Sequence, residues 1–287
     1  MGIRQLFAVT TVAASLLCAP GLQSAQAAEQ TGSSGRALID LWAMGEPAFG
    51  EYVTQSRGGN GDDESAHAGP SYTVQTGLDL AANPLLDFAF LSLEQQYEAE
   101  AAQNVAEGIR KGAGDAQQLP LLVRIPPIAV DGEAAARSRV KELLAMGANG
   151  VVIPHIMSAD EARAAVSFFE GANVWSPDNP EGDIVAMLIV EDPEVFAELE
   201  EIADLPGFSA LVCGIGSLTS ALDGDREAAE KINQQVLAES KRVGKPNLTT
   251  VSPESVAQRV EQGFLGLLAY GPESQEAIRR GRLAAGR

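Results

Sequence analysis

Short apolar runs alternate with helical patterns along most of the chain. Runs bounded by Gly and Pro, with helical segments between them, are typical of buried parallel strands. Eight strands are predicted, at Ala37–Met44, Asp87–Glu94, Leu121–Ile125, Gly150–His155, Ile184–Val190, Ala210–Ile215, Asn247–Val251 and Gly263–Ala269. The helical patterns include Glu133–Met146, Ala159–Glu170, Pro193–Ala203, Asp225–Val243 and Pro253–Gln262. Eight alternating units favour an α/β fold of the closed (β/α)8 TIM-barrel type over an open sheet.

Two segments depart from this alternation. Residues 56–71 are rich in Gly, Asp and Ser without periodicity, which predicts a long loop that is either a plain insertion or a lid over the site. Residues 171–182 form a second loop before the fifth strand. Trp175 in that loop is expected to pack against a neighbouring subunit or to cover the bottom of the barrel.

The first residues have the three-part pattern of a secretory signal peptide. Arg4 precedes an apolar run from Leu6 to Leu17, and Ala25-Gln26-Ala27 is a small-x-small cleavage sequence. We therefore expect a signal peptide over 1–27, a loose leader over 28–36 and a single domain over 37–287, exported to the periplasm or secreted. An uncleaved anchor or a start-site artefact is the alternative. The remaining length suits one barrel of about 250 residues.

The net charge excludes some classes of partner. It is −19 for the whole chain, and removal of Arg4 with the leader would make it −20. Such an acidic protein is not expected to bind nucleic acid or anionic membranes. An anionic substrate would need local positive charge. Loss of Cys18 with the leader would leave Cys213 alone, so no intrachain disulfide is expected, and Cys213 is interpreted as a buried structural thiol.

Polar residues end three of the predicted strands. Arg124, His155 and Glu191 follow the third, fourth and fifth apolar runs. In an α/β barrel the carboxyl ends of the strands carry the chemistry. Arg124 either binds a substrate anion or forms an internal ion pair with Glu94 or Glu191. His155 is either a base or a structural residue held by hydrogen bonds.

Several motifs between about Leu119 and Gly224 occur in the order and spacing of one family. They are Leu-Val-Arg-Ile-Pro (122–126), Gly-Ala-Asn-Gly-Val-Val-Ile-Pro-His-Ile (147–156), Ser-Ala-Asp-Glu-Ala-Arg (158–163), Met-Leu-Ile-Val-Glu (187–191) and Cys-Gly-Ile-Gly-Ser-Leu-Thr-Ser-Ala-Leu-Asp-Gly (213–224). Asp-Phe-Ala-Phe-Leu-Ser-Leu-Glu (87–94) is a weaker match. On these motifs the chain resembles the HpcH/HpaI aldolase family, which includes 2-oxo-acid aldolases and citrate lyase β-type proteins, as a divergent member.

The resemblance implies a divalent metal, Mg²⁺ or Mn²⁺, held by a glutamate and an aspartate. Glu191 matches the glutamate, whereas Ser217 stands at the aspartate position, so Ser217 or Glu94 would complete the metal site. Arg124 matches the arginine that neutralises an enolate oxygen. Gln95 replaces the histidine that serves in proton transfer, and its amide could orient a water molecule.

Further roles follow from the same resemblance. The backbone amides of Gly216 and Ser217, in a glycine-rich turn, would hold the substrate carboxylate. Proton transfer would fall to His155, or to a water molecule on the metal that Gln95 orients. The metal and the guanidinium of Arg124 would together stabilise the negative charge that develops when a carbon–carbon bond breaks.

The function expected from the resemblance is that of a carbon–carbon lyase (an aldehyde-lyase). It would cleave or form a hydroxy-oxo-acid through a pyruvate-like enolate, with a small-molecule oxo-acid as substrate. Because Gln95 and Ser217 replace two catalytic residues of the family, a catalytically silent binding protein on the same barrel remains an alternative. A related lyase or hydrolase acting on another carboxylate is a third. The resemblance also implies homo-oligomers, often hexamers with exchanged C-terminal helices.

Overall fold

The chain folds into the predicted barrel. A computed structural model describes residues 36–53 and 72–287. The expected signal peptide and the loop at 56–71 lie outside the described residues. The strands are Ala48–Val53 (β1), Phe88–Ser92 (β2), Leu121–Arg124 (β3), Gly150–Ile153 (β4), Val185–Val190 (β5), Ala210–Cys213 (β6), Leu248–Val251 (β7) and Gly266–Ala269 (β8).

Helices alternate with these strands. They are residues 36–43 (α1), Val74–Ala81 (α2), Ala99–Ala113 (α3), Ile128–Ala145 (α4), Ala159–Ser167 (α5), Leu199–Asp204 (α6), Ile215–Ala221 (α7), Arg226–Arg242 (α8), Val256–Gln262 (α9) and Ser274–Ala284 (α10), with a 3₁₀ helix at Pro193–Glu198 before α6. Several begin as the sequence predicts: the side chain of Ser158 accepts a hydrogen bond from the amide of Glu161, and Pro193 opens the 3₁₀ helix.

The eight strands form one parallel sheet in the order β6-β5-β4-β3-β2-β1-β8-β7. The ladder is interrupted between β6 and β7. There the amide of Leu211 donates to the carbonyl of Pro246 at 3.3 Å, and the Asn247 side chain donates to the carbonyl of Leu211 at 2.6 Å. The barrel is therefore nearly closed, which confirms the (β/α)8 class.

The first predicted strand is wrong. Residues 36–43 are helical, and the first strand is Ala48–Val53 instead. Leu38, Ile39 and Trp42 are buried with the residues that fill the barrel. Their spacing places them on one helical face, but the short apolar run is also compatible with a strand. β1 contains Gly50 and Glu51 and so lacks the continuous apolar run of the other strands.

Two apolar layers surround the strands. The inner one includes Phe90, Met187 and Leu268, and the outer one packs the strands against the helices. Trp175 is buried with the inner layer, and its ring centroid is 6.2 Å from that of Trp42 in α1. Trp175 and α1 therefore close the amino-terminal end of the barrel, so the barrel interior is open at the carboxyl end. Within the described ranges, no helix has the length and hydropathy needed to cross a membrane.

Candidate active site

A cavity of about 530 Å³ opens at the carboxyl ends of the strands. Apolar side chains from the inner layer form its floor, and polar groups stand at its rim. Of the residues that the sequence analysis selected, Arg124, Glu191, Gly216 and Ser217 line it. The carboxyl ends of neighbouring parallel strands meet at one rim, which is why residues far apart in sequence converge here.

Arg124 ends β3 and is fixed by three polar contacts. Its guanidinium donates to the Ser92 hydroxyl at 3.0 Å and to the Tyr52 hydroxyl at 2.8 Å. It also lies 2.7 Å from the carboxylate of Glu94. The ion pair expected for Arg124 therefore forms with Glu94, and the guanidinium still lines the cavity.

Glu191 directly follows β5 and is almost completely buried, with 1% of its side chain exposed. Its Oε1 accepts a hydrogen bond from the backbone amide of His155 at 3.1 Å. Its Oε2 lies against the backbone of Gly214, where a Cβ atom would overlap it. The site therefore requires glycine at 214, for reasons of space.

His155 lies between three carboxylates. Its Nε2 is 3.5 Å from Oε1 of Glu94 and 3.4 Å from Oε1 of Glu191, and its Nδ1 is 3.3 Å from Oδ2 of Asp192. Its backbone has a φ of 51°, a left-handed conformation that is uncommon outside glycine. Such strain often occurs at functional sites.

Glu94 joins Arg124 to this cluster. Burial raises the pKa of its carboxyl above the ordinary value, and Glu191 adds to the effect, whereas Arg124 and His155 act in the opposite direction. Its Oε1 is buried and has no hydrogen-bond partner among the described residues. A buried, unpaired carboxylate oxygen is costly unless a proton or a cation reaches it.

Glu94, His155 and Glu191 are the residues that could hold a metal ion. One ligand atom from each lies within 4.8 Å of the others. Two carboxylates and an imidazole are suitable donors for a divalent ion, so the residues present fit a metal. Ser217, predicted as a ligand, lines the cavity beside Glu191.

The other predicted residues lie at the edges of the site. Gln95 is exposed and lines a neighbouring cavity of about 320 Å³, which also contacts Glu94 and Arg124. Gly216 and Ser217 belong to the first turn of helix α7, so the expected glycine-rich turn is helical from Ile215 onward. Cys213 is buried as expected, and burial raises the pKa of its thiol to about 12.

Sequence reasoning missed three contributors to the site. Tyr52 was missed because β1 was not predicted. Asp192 lies between Glu191 and the predicted helix at Pro193–Ala203, and the sequence pattern gave it no role in the site. Gly214 entered the sequence analysis only as part of a glycine-rich motif. In the fold it leaves the space that the Glu191 side chain occupies.

No protein-family model matches the chain. A curated 2-dehydro-3,6-dideoxy-6-sulfogluconate aldolase from Pseudomonas putida is 27% identical over 148 residues, which are 44% of this chain and 58% of that enzyme. The match thus spans less than two thirds of the relative's length.

Solved structures of the same architecture resemble nearly the whole chain. An HpcH/HpaI aldolase/citrate lyase family protein from Burkholderia cenocepacia has a TM-score of 0.63 at 19% identity and covers 87% of this chain and 98% of its own. For an HpcH/HpaI aldolase from Desulfitobacterium hafniense the TM-score is 0.61 at 20% identity, with coverages of 86% and 93%. A Mycobacterium tuberculosis citrate lyase beta subunit, complexed with oxaloacetate and magnesium, has a TM-score of 0.55 at 17% identity and coverages of 84% and 98%. The fold expected from the motifs is confirmed.

Proposed function

We propose that this chain, which has the fold of the HpcH/HpaI aldolase and citrate lyase proteins, is a metal-assisted carbon–carbon lyase acting on 2-oxo acids. One observation carries the proposal: Arg124 and Glu191 line the same cavity at the catalytic end of the barrel. The curated sequence relative is an aldolase, and one structural relative binds oxaloacetate and magnesium. Both support this class of reaction.

Arg124 and the first turn of α7 would bind the negatively charged groups of the substrate. Arg124 is held rigidly by Tyr52, Ser92 and Glu94, so its guanidinium is directed at the cavity without reorganisation. A preorganised cation of this kind stabilises an enolate oxygen, and removing one such group commonly slows turnover by about 10²–10³-fold. The amides of Gly216 and Ser217, in the first turn of α7, are available to a substrate carboxylate.

A divalent metal would be held by Glu191 with Glu94, and Ser217 could contribute from the rim. When bound, the ion supplies Lewis acidity to the oxygen atoms of the substrate. His155 is the candidate for holding and moving a proton, since its imidazole reaches into the carboxylate cluster. Gln95 would act only through water, because its side chain lies in the neighbouring cavity.

The lining of the cavity supports a neutral acceptor aldehyde. Arg124 is the one lysine or arginine among the described residues that line it. The wall beyond it is mostly apolar, with hydroxyl groups at Thr249, Thr250 and Tyr270. A sulfonate or phosphate at the distal end of a substrate would therefore meet no second cation there. We propose an aldehyde with an uncharged, largely apolar substituent.

The test follows pyruvate in D₂O by proton NMR, with Mg²⁺ or Mn²⁺ added. Exchange of the methyl protons would report enolate formation without any acceptor, and aldol addition to a series of neutral and anionic aldehydes would then report bond formation. The lyase is refuted if pyruvate exchanges no methyl protons and none of the aldehydes gives an aldol product with either metal. Tight binding of oxo-acids without turnover would instead support the catalytically silent binding protein on this barrel.

The catalytically silent binding protein is favoured by Gln95 and Ser217, which replace the histidine and aspartate expected from the family resemblance. Gln95→His combined with Ser217→Asp would restore the residues that the family resemblance expects. If the silent protein is the correct description, the double variant should gain metal binding and pyruvate exchange that the native chain lacks. A native chain that already binds metal and exchanges protons would rule this description out.

Export also remains a proposal, supported by the pattern of residues 1–27. Amino-terminal sequencing of the protein from fractionated cells tests it. A mature amino terminus at residue 28 in the exported fraction is the expected result, and an intact terminus in the cytoplasmic fraction would contradict it. Sedimentation of the same material tests the expected homo-oligomer.

A further inference from the structure

The imidazole of His155 has a specific orientation inside the acidic cluster. Nδ1 is turned to Asp192, at 3.3 Å, and Nε2 is turned to Glu94 and Glu191, at 3.5 and 3.4 Å. If Nδ1 donates its proton to Asp192, the lone pair on Nε2 faces carboxylate oxygens. Lone pairs that face each other repel, so a proton or a metal cation must lie among these atoms.

The surrounding groups determine the charge of this site. Among the described residues, Arg124 is the one arginine or lysine that forms an ion pair with any of the carboxylates of Glu94, Glu191 and Asp192, and its partner is Glu94. Arg124 contacts Oε2 of Glu94, and Oε1 of the same carboxylate is buried with no hydrogen-bond partner in the described part of the chain. The unpaired oxygen is the one that faces His155. A divalent ion would compensate the excess negative charge and supply the missing partner.

The spacing of the candidate ligand atoms suits one ion. Nitrogen and oxygen ligands bind such ions at about 2.0–2.2 Å, so two ligands of one ion lie roughly 3.0–3.4 Å apart. The two distances from Nε2, 3.5 and 3.4 Å, are close to this range. A carboxylate that holds the second nitrogen of a ligating histidine is a common feature of metal sites, and Asp192 occupies that position.

We propose that Glu94, His155 and Glu191 bind a divalent transition-metal ion, with Asp192 as the positioning residue for the imidazole. Imidazole nitrogen is a good ligand for Co²⁺ and Zn²⁺ and a weaker one for Mn²⁺, whereas Mg²⁺ prefers oxygen ligands. The site therefore selects transition metals over Mg²⁺. This deepens the proposed function, on which it rests, by assigning the imidazole of His155 to the metal site. Proton transfer then falls to a water molecule oriented by Gln95 instead of to His155.

Isothermal titration calorimetry of the chelator-treated full chain with Mg²⁺, Mn²⁺ and Co²⁺ tests the selectivity. Mn²⁺ and Co²⁺ should bind at least tenfold more tightly than Mg²⁺. Electron spin-echo modulation of bound Mn²⁺ should show a directly coordinated imidazole nitrogen. Equal affinities for the three ions, no binding below millimolar concentrations, or Mn²⁺ bound without nitrogen coupling would each overturn the proposal.

His155→Asn is the informative variant, because asparagine tolerates the left-handed backbone at this position. It should lower Mn²⁺ and Co²⁺ affinity at least tenfold, change Mg²⁺ affinity less than threefold and remove the nitrogen coupling. Asp192→Asn should lower Mn²⁺ affinity about 10–100-fold and keep the coupling. His67→Gln, which removes the other histidine of the chain, is the matched control. Nitrogen coupling that disappears in His67→Gln and persists in His155→Asn would refute the assignment.

The two proposals fail in different ways. Nitrogen-coupled Mn²⁺ with neither pyruvate proton exchange nor an aldol product would support the metal site and refute the lyase. Pyruvate exchange that is equally supported by Mg²⁺ and unaffected in His155→Asn, together with Mn²⁺ bound without nitrogen coupling, would leave the lyase standing and refute the imidazole ligand.

Discussion

Gly214→Ala is the smallest change that should disable the site. Gly214 has a φ of −74°, so alanine is not strained by the backbone. A Cβ atom there would lie 2.7 Å from Cδ and 2.8 Å from Cβ of Glu191, and nearer still to Oε2. Ordinary carbon–carbon contacts are about 3.5–4.0 Å. The Glu191 side chain must therefore move by about 1 Å.

That movement has two costs. Overpacking in a rigid interior costs about 1–3 kcal/mol. Loss of the 3.1 Å hydrogen bond from the amide of His155 to the buried carboxylate costs about 1.5–3 kcal/mol. With partial relaxation we expect a destabilisation of about 3 kcal/mol, which lowers Tm by roughly 10 °C in a domain of this size. Metal affinity should fall at least tenfold, since ligand positions must hold to about 0.2 Å.

The assays are calorimetric melting and Mn²⁺ titration. Gly216→Ala is the matched control, because a Cβ atom at Gly216 would contact nothing within 4 Å. It should leave Mn²⁺ affinity within threefold and Tm unchanged or slightly raised, since alanine favours the helix. A Gly214→Ala protein with native Tm and native Mn²⁺ affinity would refute the proposed packing of Glu191 against this backbone.

Three further predictions concern single side chains. Arg124→Lys should slow pyruvate proton exchange at least 100-fold with Tm changed by only a few degrees, because lysine keeps the charge but cannot make the guanidinium's forked contacts; near-native exchange would contradict it. Cys213, whose thiol pKa is raised to about 12 by burial, should not react with a thiol reagent at pH 8 until urea unfolds the protein, and prompt reaction would show the thiol to be accessible. Burial lowers the pKa of Lys245 to about 8 in the folded state, so between pH 8 and about 10.4 the unfolded state binds more protons. The free energy of unfolding, measured in urea, should therefore rise with pH across that interval by up to about 3 kcal/mol relative to Lys245→Met. The hydrogen bonds from Nζ to two carbonyls make the expected rise smaller than this limit. Parallel pH profiles for the two proteins would contradict the prediction.

The sequence predicted most of the barrel for a clear reason. Parallel strands are buried on both faces, so β2 to β6 and β8 are nearly continuous apolar runs that few helices imitate. β1 was not predicted because Gly50 and Glu51 interrupt its apolar pattern. The apolar run predicted as the first strand instead, Ala37–Met44, lies almost entirely in helix α1. The period of an eight-residue apolar segment does not distinguish the two structures.

The candidate residues were predictable only one by one. Each of Arg124, His155 and Glu191 was recognisable as a polar residue ending an apolar run. Their partners were not, because nothing in a linear pattern indicates that Asp192 turns toward His155 or that Arg124 takes one oxygen of Glu94 and leaves the other unpaired. Gln95, placed by motif, lies outside the main cavity.

The amino-acid sequence by itself thus determined the class of fold, the end of the barrel that carries polar groups and the net negative charge of the whole chain. These depend on local properties: strand-length apolar runs, the residue that ends each run, and a count of charges. Only the tertiary structure decided which polar groups meet, how close they come and which carboxylate oxygen lacks a partner. Those contacts join residues 30 to 100 positions apart, and they arise only when the sheet curves into a barrel and brings the strand ends to one rim.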